Sequence, residues 1–374
     1  MADEKRNELA GQRLILMEGS AQGLGLAPAP APEEAHVMHV YGPRVMIGPM
    51  PQEAAAVMMA AAPAVRVEDS ALDEIPEDLS EAERLGLQAW NVRQSEEYAR
   101  AKEERPRAEL PWDTFEPPDV EETMHGEARG GESVMMLAPA PDMSAFLIGS
   151  VAVGLVIVEG PTADLQFSQE ERTKVVAEVQ EGLTWLAQQE PRANVTWSYD
   201  IRTIRVAVQT NLGLIGFEPR ERLWRDPAMQ QLGFSPDFQG VIDYVATIRQ
   251  NLGTRWGYVG FFTKYPLHHF AYASKPRLVM HFANDGWGPD NIDRVFTHEA
   301  GHLFGCPDEY TASACNCQTP FGILQERNGN CRSCANPFIP CLMEANTWAM
   351  CDFTRTHLGW RDSNGDDRFD PEDL

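Results

Sequence analysis

Two histidines spaced four residues apart, His298 and His302, carry the strongest chemical signal in the sequence. Residues four apart lie on one face of a helix, so both imidazoles can bind the same metal ion. Glu299 follows the first histidine, and from there its carboxylate can take a proton from a water molecule beside the ion. The spacing therefore predicts a zinc site with a general base next to it.

Gly305 and Asp308 indicate how a third protein ligand reaches the same ion. Glycine commonly ends a helix with a left-handed turn, which redirects the chain. A side chain three residues later can then return to the metal, and Asp308 occupies that position. Glu309 is the alternative ligand, and either carboxylate can instead make only hydrogen bonds. The predicted metal ligands are His298, His302 and Asp308.

The elements around this motif predict a domain of the α/β (α+β) class. The helix that carries the histidines is expected to start at Asp290, with Ile292 and Phe296 on its buried face. Upstream, apolar and β-branched runs alternate with helical patterns, which favours a twisted mixed sheet. The predicted strands are residues 145–159, 194–208, 259–263 and 278–282, and the predicted helices are residues 168–189 and 238–252.

Residues 297–310 resemble the zinc motif of the metzincins, in the variant with a final aspartate that is known from snapalysin-like enzymes. Metzincins also place a methionine turn beneath the metal. Met343 matches this feature, and Met350 is the alternative. The resemblance covers residues 143–361 and implies a metzincin-like catalytic domain whose active-site helix carries the two histidines.

The same resemblance implies a zinc-dependent endopeptidase that hydrolyses a protein or peptide substrate with Glu299 as general base. The substrate is expected to add as a strand to a sheet edge, and residues 277–283 are the candidate edge. Two features depart from the family pattern. Ala345 stands where astacins have a tyrosine, and no cysteine precedes Cys306, which excludes the cysteine switch of matrix metalloproteinases.

Residues 1–142 form an acidic, Ala- and Pro-rich segment that is predicted to be partly extended and to resemble a pro-segment. A helix is expected near residues 80–105, because Ser80 and Glu83 have capping-box spacing. In a zymogen this segment would be removable and would shield the cleft. The carboxylate of Asp113 is one candidate to cap the metal, although a solvated carboxylate is favoured for any single acidic residue of this segment.

All seven cysteines lie between Cys306 and Cys351. Such a concentration predicts crosslinks or metal binding. Disulfides are favoured, because a bond between Cys341 and Cys351 would hold the turn that carries Met343. The residues that form either disulfides or a second zinc site are Cys315, Cys317, Cys331 and Cys334.

Residues 362–374 have oxygen ligands at the spacing of an EF-hand-like calcium loop. Asp367 stands where such a loop needs glycine, and the last ligand is an aspartate rather than a glutamate. Calcium binding is the prediction, and a disordered acidic terminus is the alternative. The predicted calcium ligands are Asp362, Asn364, Asp366, Asp370 and Asp373.

The net charge of −25 at pH 7 argues against nucleic acid as a partner, because an acidic surface repels phosphate. The sequence contains no apolar run of the roughly 18 residues that a membrane span needs. Its first residues also lack the pattern of a secretory signal. An extracellular or secreted protein that uses another export route is expected, and a cytoplasmic location is the alternative.

A second hypothesis is a non-catalytic binding protein that keeps a metzincin-like fold and uses zinc and calcium for stability. Glu299 favours catalysis, since a purely structural site does not need a general base. A metal hydrolase that acts on a non-peptide amide is a third hypothesis. The sequence gives no indication of the oligomeric state.

Overall fold

A nine-stranded sheet and eight helices form most of the computed structural model, which describes residues 11–18, 36–62, 64–114 and 143–373. Within these ranges, no helix has the length and apolar character that crossing a membrane requires. The strands of the sheet are β1 (Gln12–Met17), β2 (His39–Val40), β3 (Val45–Pro49), β4 (Val65–Glu68), β5 (Ser150–Glu159), β6 (Thr196–Arg205), β7 (Trp256–Thr263), β8 (Ala271–Ser274) and β9 (Arg277–His281). The helices are α1 (Gln52–Ala61), α2 (Glu81–Arg93), α3 (Glu96–Glu103), α4 (Gln169–Gln188), α5 (Phe217–Gln231), α6 (Phe238–Leu252), α7 (Ile292–Leu303) and α8 (Asp352–His357).

The sheet is mixed, with the order β4-β1-β3-β2-β6-β5-β7-β9-β8. Its middle is parallel, because β6 and β7 both pair with β5 in parallel and β9 pairs with β7 in the same way. β8 pairs with β9 in antiparallel orientation. The predicted mixed sheet in an α/β fold is therefore confirmed.

Helices cover both faces of the parallel strands. Successive residues of a strand point to opposite faces, and β5 shows this alternation. Val151, Val153 and Leu155 pack in the core that includes residues of α4 and α7. Ala152 and Val156 pack in the core that includes residues of α5 and α6. Both faces of β5 are thus buried, as expected for a central parallel strand.

The four strands before residue 69 extend this same sheet. β2 pairs with β6 in parallel, and β3, β1 and β4 follow outward in antiparallel pairs. The sequence indicated only a partly extended segment here, so these strands are an addition to the prediction. The Pro-Ala run at residues 27–32 and residues 115–142 lie outside the described residues.

Two helices, α2 and α3, occupy the range in which a helix was expected near residues 80–105. Ser80 forms the capping box: its hydroxyl accepts the Glu83 amide at 3.3 Å, and its own amide donates to the Glu83 carboxylate at 3.0 Å. Lys102 on α3 lies 2.8 Å from Asp293 on α7 and 2.5 Å from Glu178 on α4. Because both carboxylates are fully buried, this contact fixes α3 to the helix that carries the histidines.

The edge strand on the α7 side of the sheet is β8, so the prediction of an edge at residues 277–283 is wrong. The chain reverses at Lys275 and Pro276, and β8 pairs back onto β9. β9 therefore lies between β7 and β8. The four residues of β8 lack the apolar run that marks β9, which is why the sequence pattern missed this strand.

Candidate metal centre

Helix α7 positions the two predicted metal-binding histidines. A short turn at Pro289–Asn291 precedes it, so the helix begins at Ile292 rather than at Asp290. After its end, Gly305 has a φ of 96°, and a Cβ there would lie 2.8 Å from the Cα of Gly322. Only glycine suits both conditions, and the predicted left-handed turn is confirmed.

The side chains of His298, His302 and Asp308 converge at the end of α7. The two histidine Nε2 atoms are 3.0 Å apart, and each lies 3.2 Å from Oδ1 of Asp308. These three residues form a group that could hold one metal ion. The structure therefore brings together the three side chains that the motif singled out.

Backbone carbonyls orient both imidazole rings. Nδ1 of His298 donates to the carbonyl of Leu342 at 3.1 Å, and Nδ1 of His302 donates to the carbonyl of Cys306 at 2.8 Å. A neutral ring that donates through Nδ1 presents the lone pair of Nε2. Both Nε2 atoms are thus oriented as metal ligands by their hydrogen bonds on the opposite side of the ring.

Three electron-rich atoms at this separation need a proton or a metal ion between them. Burial by itself lowers the pKa of His302, but the Asp308 carboxylate and, more weakly, Glu299 raise it to about 9. A proton can therefore neutralise the group, and a metal ion would compete with that proton for the same atoms. The geometry and charge of the group fit a divalent cation.

Glu299 and Tyr310 lie beside this group. Glu299 is only 6% exposed, and its charge acts on both His302 and Tyr310. Tyr310 is hydrogen-bonded to Asp308, and burial, followed by the charges of Asp308 and Glu299, raises the pKa of its phenol. The phenol thus stays protonated and donates to the ligand carboxylate. The sequence interpretation missed Tyr310, although it stands two residues after Asp308.

Glu309 points away from the histidines, although it directly follows Asp308. Its buried carboxylate accepts hydrogen bonds from Asn330 at 2.7 Å, from Cys351 at 3.1 Å and from Thr354 at 3.1 Å. Burial raises the pKa of Glu309 well above its usual range. Of the two carboxylates considered as third ligand, the structure places Asp308 at the histidines.

Met343 lies against α7 between the two histidine positions. Its side chain is buried, and its sulfur is 3.0 Å from the point where a Cβ on Gly301 would stand. The turn that carries it is closed by the Glu344 amide, which donates to the carbonyl of Cys341 at 3.0 Å. Met350 is only partly buried at the border of the core. The side chain that supports α7 is therefore that of Met343.

Residues 107–114 cross the turn that carries Met343. The Trp112 amide donates to the carbonyl of Glu344 at 3.1 Å, and its indole donates to the carbonyl of Leu342 at 2.7 Å. The Trp112 ring centroid lies 5.3 Å from that of His298. One carbonyl thus holds both His298 and a tryptophan from the first third of the chain.

Asp113, one candidate to cap the metal, does not lie at the histidine group. Its carboxylate accepts a hydrogen bond from the Ala312 amide at 3.0 Å and does not belong to the metal-binding group. Because Trp112 is held against the Met343 turn, the next side chain points to the loop after Tyr310.

The cysteine-rich loop after α7 contains two disulfides, so the preference for disulfides over a second zinc site is confirmed for four cysteines. The pairs are Cys315–Cys331 and Cys317–Cys334. The predicted bond between Cys341 and Cys351 is wrong: both are buried free thiols, as is Cys306. Cys341 and Cys351 contact Thr354, and Cys351 also contacts Glu309.

The acidic tail, described up to residue 373, forms a loop whose carboxylates have arginine partners. Asp370 lies 2.6 Å from Arg361, and Asp373 lies 2.8 Å from Arg368. Within the described residues, the groups of histidine, cysteine and acidic side chains that could hold a metal include none from this tail. Calcium binding stays a prediction for the five residues Asp362, Asn364, Asp366, Asp370 and Asp373.

Comparison with known proteins adds no family to these observations. No protein-family model matches the chain, and no curated protein matches it significantly. The interpretation of the site therefore depends on its own residues and geometry.

Proposed function

We propose that the protein is a zinc-dependent endopeptidase with a metzincin-like catalytic domain. One observation carries the proposal. His298, His302 and Asp308 converge on one point, and Glu299 lies next to His298 on α7. A structural metal site needs only ligands, whereas a hydrolytic site also needs a base.

The donor set favours zinc. Imidazole and carboxylate are common ligands of catalytic zinc, and three protein ligands leave a fourth position for water or substrate. Zinc held there would lower the pKa of a bound water molecule and polarise a substrate carbonyl. His302 is the most accessible ligand, with 16% of its side chain exposed against 7% for His298 and 3% for Asp308. Water and substrate would therefore approach on the His302 side.

The residues around the ligands have separate roles in this proposal. Glu299 takes the proton of the attacking water and passes it to the leaving amine. Tyr310 donates to Asp308 and so fixes the orientation of that ligand. Since Ala345 carries no phenol, Tyr310 supplies the hydroxyl group at this centre.

The edge of the sheet supports a peptide as substrate. β8 is an antiparallel edge strand, and its neighbour β9 leads through residues 282–291 into α7. An extended peptide can add to such an edge through backbone hydrogen bonds. We therefore assign the substrate-binding edge to β8 instead of residues 277–283.

The test compares the full-length wild type with Glu299→Gln, which keeps the volume of the side chain and removes its basicity. A mixed peptide library is incubated with each protein, cleavage is measured by mass spectrometry, and zinc content is measured by elemental analysis. Glu170→Gln, the same change at an exposed position of α4, is the matched control. We expect cleavage by the wild type and the control, no cleavage by Glu299→Gln, and zinc in all three.

Zinc in all three proteins without cleavage by any of them, both before and after a proteolytic cut between residues 114 and 143, would refute the peptidase proposal. That result would favour the non-catalytic binding protein. Equal cleavage by the wild type and Glu299→Gln would instead show that another group acts as the base.

A further inference from the structure

A second buried cluster of side chains that could bind a metal lies next to the histidine centre and begins one residue after Asp308. It consists of Glu309, Cys341 and Cys351, which are 0%, 0% and 1% exposed. Glu309 comes from the loop after α7, Cys341 from the Met343 turn, and Cys351 directly precedes α8. Three separate segments therefore meet at this cluster.

The distances within the cluster suit a common ligand. One ligand atom from each of the three residues lies within 4.8 Å of the others, and Sγ of Cys351 is 3.1 Å from Oε1 of Glu309. The hydroxyl of Thr354 is 3.1 Å from Oε1 of Glu309, 3.2 Å from Sγ of Cys341 and 3.5 Å from Sγ of Cys351. Four donor atoms thus surround one small volume, as in four-coordinate structural zinc sites.

Neighbouring amide groups donate hydrogen bonds to the two sulfurs and to the carboxylate. The amide of Cys351 donates to Sγ of Cys341 at 3.5 Å, and the amide of Thr354 donates to Sγ of Cys351 at 3.4 Å. Asn330 donates to Oε2 of Glu309 at 2.7 Å. Such hydrogen bonds favour the thiolate and carboxylate forms of these groups, and a bound cation would offset the cost of burying those anions.

We propose that Glu309, Cys341 and Cys351 bind a second, structural metal ion, with the hydroxyl of Thr354 as the fourth donor. Two thiolates and a carboxylate select zinc or a similarly thiophilic divalent cation over calcium and magnesium. Binding needs the deprotonated forms of all three ligands, so it would release the protons that they carry to the solvent, without any change in oxidation state. The complete burial of the three ligands is typical of a closed, structural site rather than a catalytic one.

This ion would hold the backbone that builds the histidine centre. Glu309 directly follows Asp308, and Cys341 directly precedes Leu342, whose carbonyl accepts from His298. One metal ion would thus fix the positions of a ligand and of the group that orients another ligand. The proposal does not depend on peptidase activity, because it concerns a separate set of atoms.

Cobalt is the probe that distinguishes a metal ion bound at the cysteine cluster from one bound at the histidine centre. A thiolate bound to Co²⁺ gives a charge-transfer band in the near ultraviolet, whereas two imidazoles and a carboxylate give none. The full-length protein is produced in cobalt-supplemented medium and purified without reductant, so that the two disulfides stay intact. We expect two metal ions per chain and a thiolate band in the wild type.

Variants assign the band to the proposed ligands. Cys351→Ser is expected to lose the band and one metal ion, while His298→Ala loses one metal ion and keeps the band. Cys306→Ser is the matched control, since Cys306 is also a buried free thiol but lies outside the cluster. The substitution changes only the side chain and keeps the backbone carbonyl that accepts from His302. It should keep both the band and the metal content.

The wild type alone can overturn the proposal, even if a variant fails to fold. No thiolate band together with three titratable thiols in the unfolded chain would show a hydrogen-bonded thiol cluster without metal. No band together with a single titratable thiol would show a disulfide between Cys341 and Cys351. A band that persists when Cys341→Ser and Cys351→Ser are combined in one protein would place the thiolate ligand elsewhere.

Discussion

Gly182 on α4 packs directly against α7. A Cβ built on Gly182 would lie 2.4 Å from the carbonyl oxygen of Asp293 and 2.4 Å from Oγ1 of Thr297. Thr297 directly precedes His298. The substitution Gly182→Ala therefore presses on the helix that carries His298 and His302, and the carbonyl of Asp293 is a backbone group that cannot rotate away.

The size of the effect follows from these distances. Ordinary contact begins at 3.4 Å, so α4 and α7 must separate by about 1 Å, which costs about 3 kcal/mol, the upper part of the usual range for overpacking. The higher helix propensity of alanine offsets about 1 kcal/mol of this steric cost. The expected loss in the free energy of unfolding is therefore about 2 kcal/mol, or a fall in Tm of about 2.5 °C for a chain of this length.

Calorimetry and zinc titration would measure this effect, with Gly301→Ala as the control. A Cβ on Gly301 would meet the sulfur of Met343 at 3.0 Å, and a thioether can shift by a few tenths of an ångström at little cost. We expect Gly301→Ala to change Tm far less than Gly182→Ala, and only Gly182→Ala to weaken zinc binding clearly. An unchanged or higher Tm for Gly182→Ala would refute the steric argument.

Three further predictions concern other parts of the molecule. Asp308→Asn should lose zinc on dialysis, whereas Tyr310→Phe should keep it with an affinity about 10- to 100-fold weaker, measured by competition with a chelator. Burial lowers the pKa of His357 to about 4, so the unfolded chain takes up a proton first as the pH falls. Stability should therefore drop by about 1.4 kcal/mol per pH unit from pH 6.5 to 4 through this group. Denaturant unfolding of His357→Gln should lack that contribution, and equal slopes in both proteins would contradict it. Replacing Cys315 and Cys331 by alanine opens a loop with a sequence separation of 16 residues and should cost about 3 kcal/mol in the same assay.

The metal centre was largely predictable from the sequence because its geometry is local. The four-residue spacing of His298 and His302 places them on one face of the helix. Gly305 allows the turn that brings Asp308 back to the two histidines. The orientation of Glu309 was not predictable. Neighbouring residues in an irregular loop can point in opposite directions, and the partners of Glu309 lie 21 to 45 residues away along the chain.

The sheet was predictable only where strands are long and apolar. β5 is buried along nine of its ten residues, and its apolar sequence clearly predicts a central strand. β2 has two residues and β8 has four, and each exists because a distant or neighbouring strand supplies its hydrogen bonds. Local pattern carries little information about such pairing, since the stabilising contacts come from tertiary structure.

The parallel pairing of β2 with β6 has a consequence for any proteolytic cut between residues 114 and 143. The piece before the cut would keep its ladder to β6, the contact of Lys102 with Asp293, and the indole of Trp112 against Leu342. A nicked molecule would run as two bands on a denaturing gel and as one species in gel filtration. Cleavage there would change the covalent connectivity of the protein without releasing its first third.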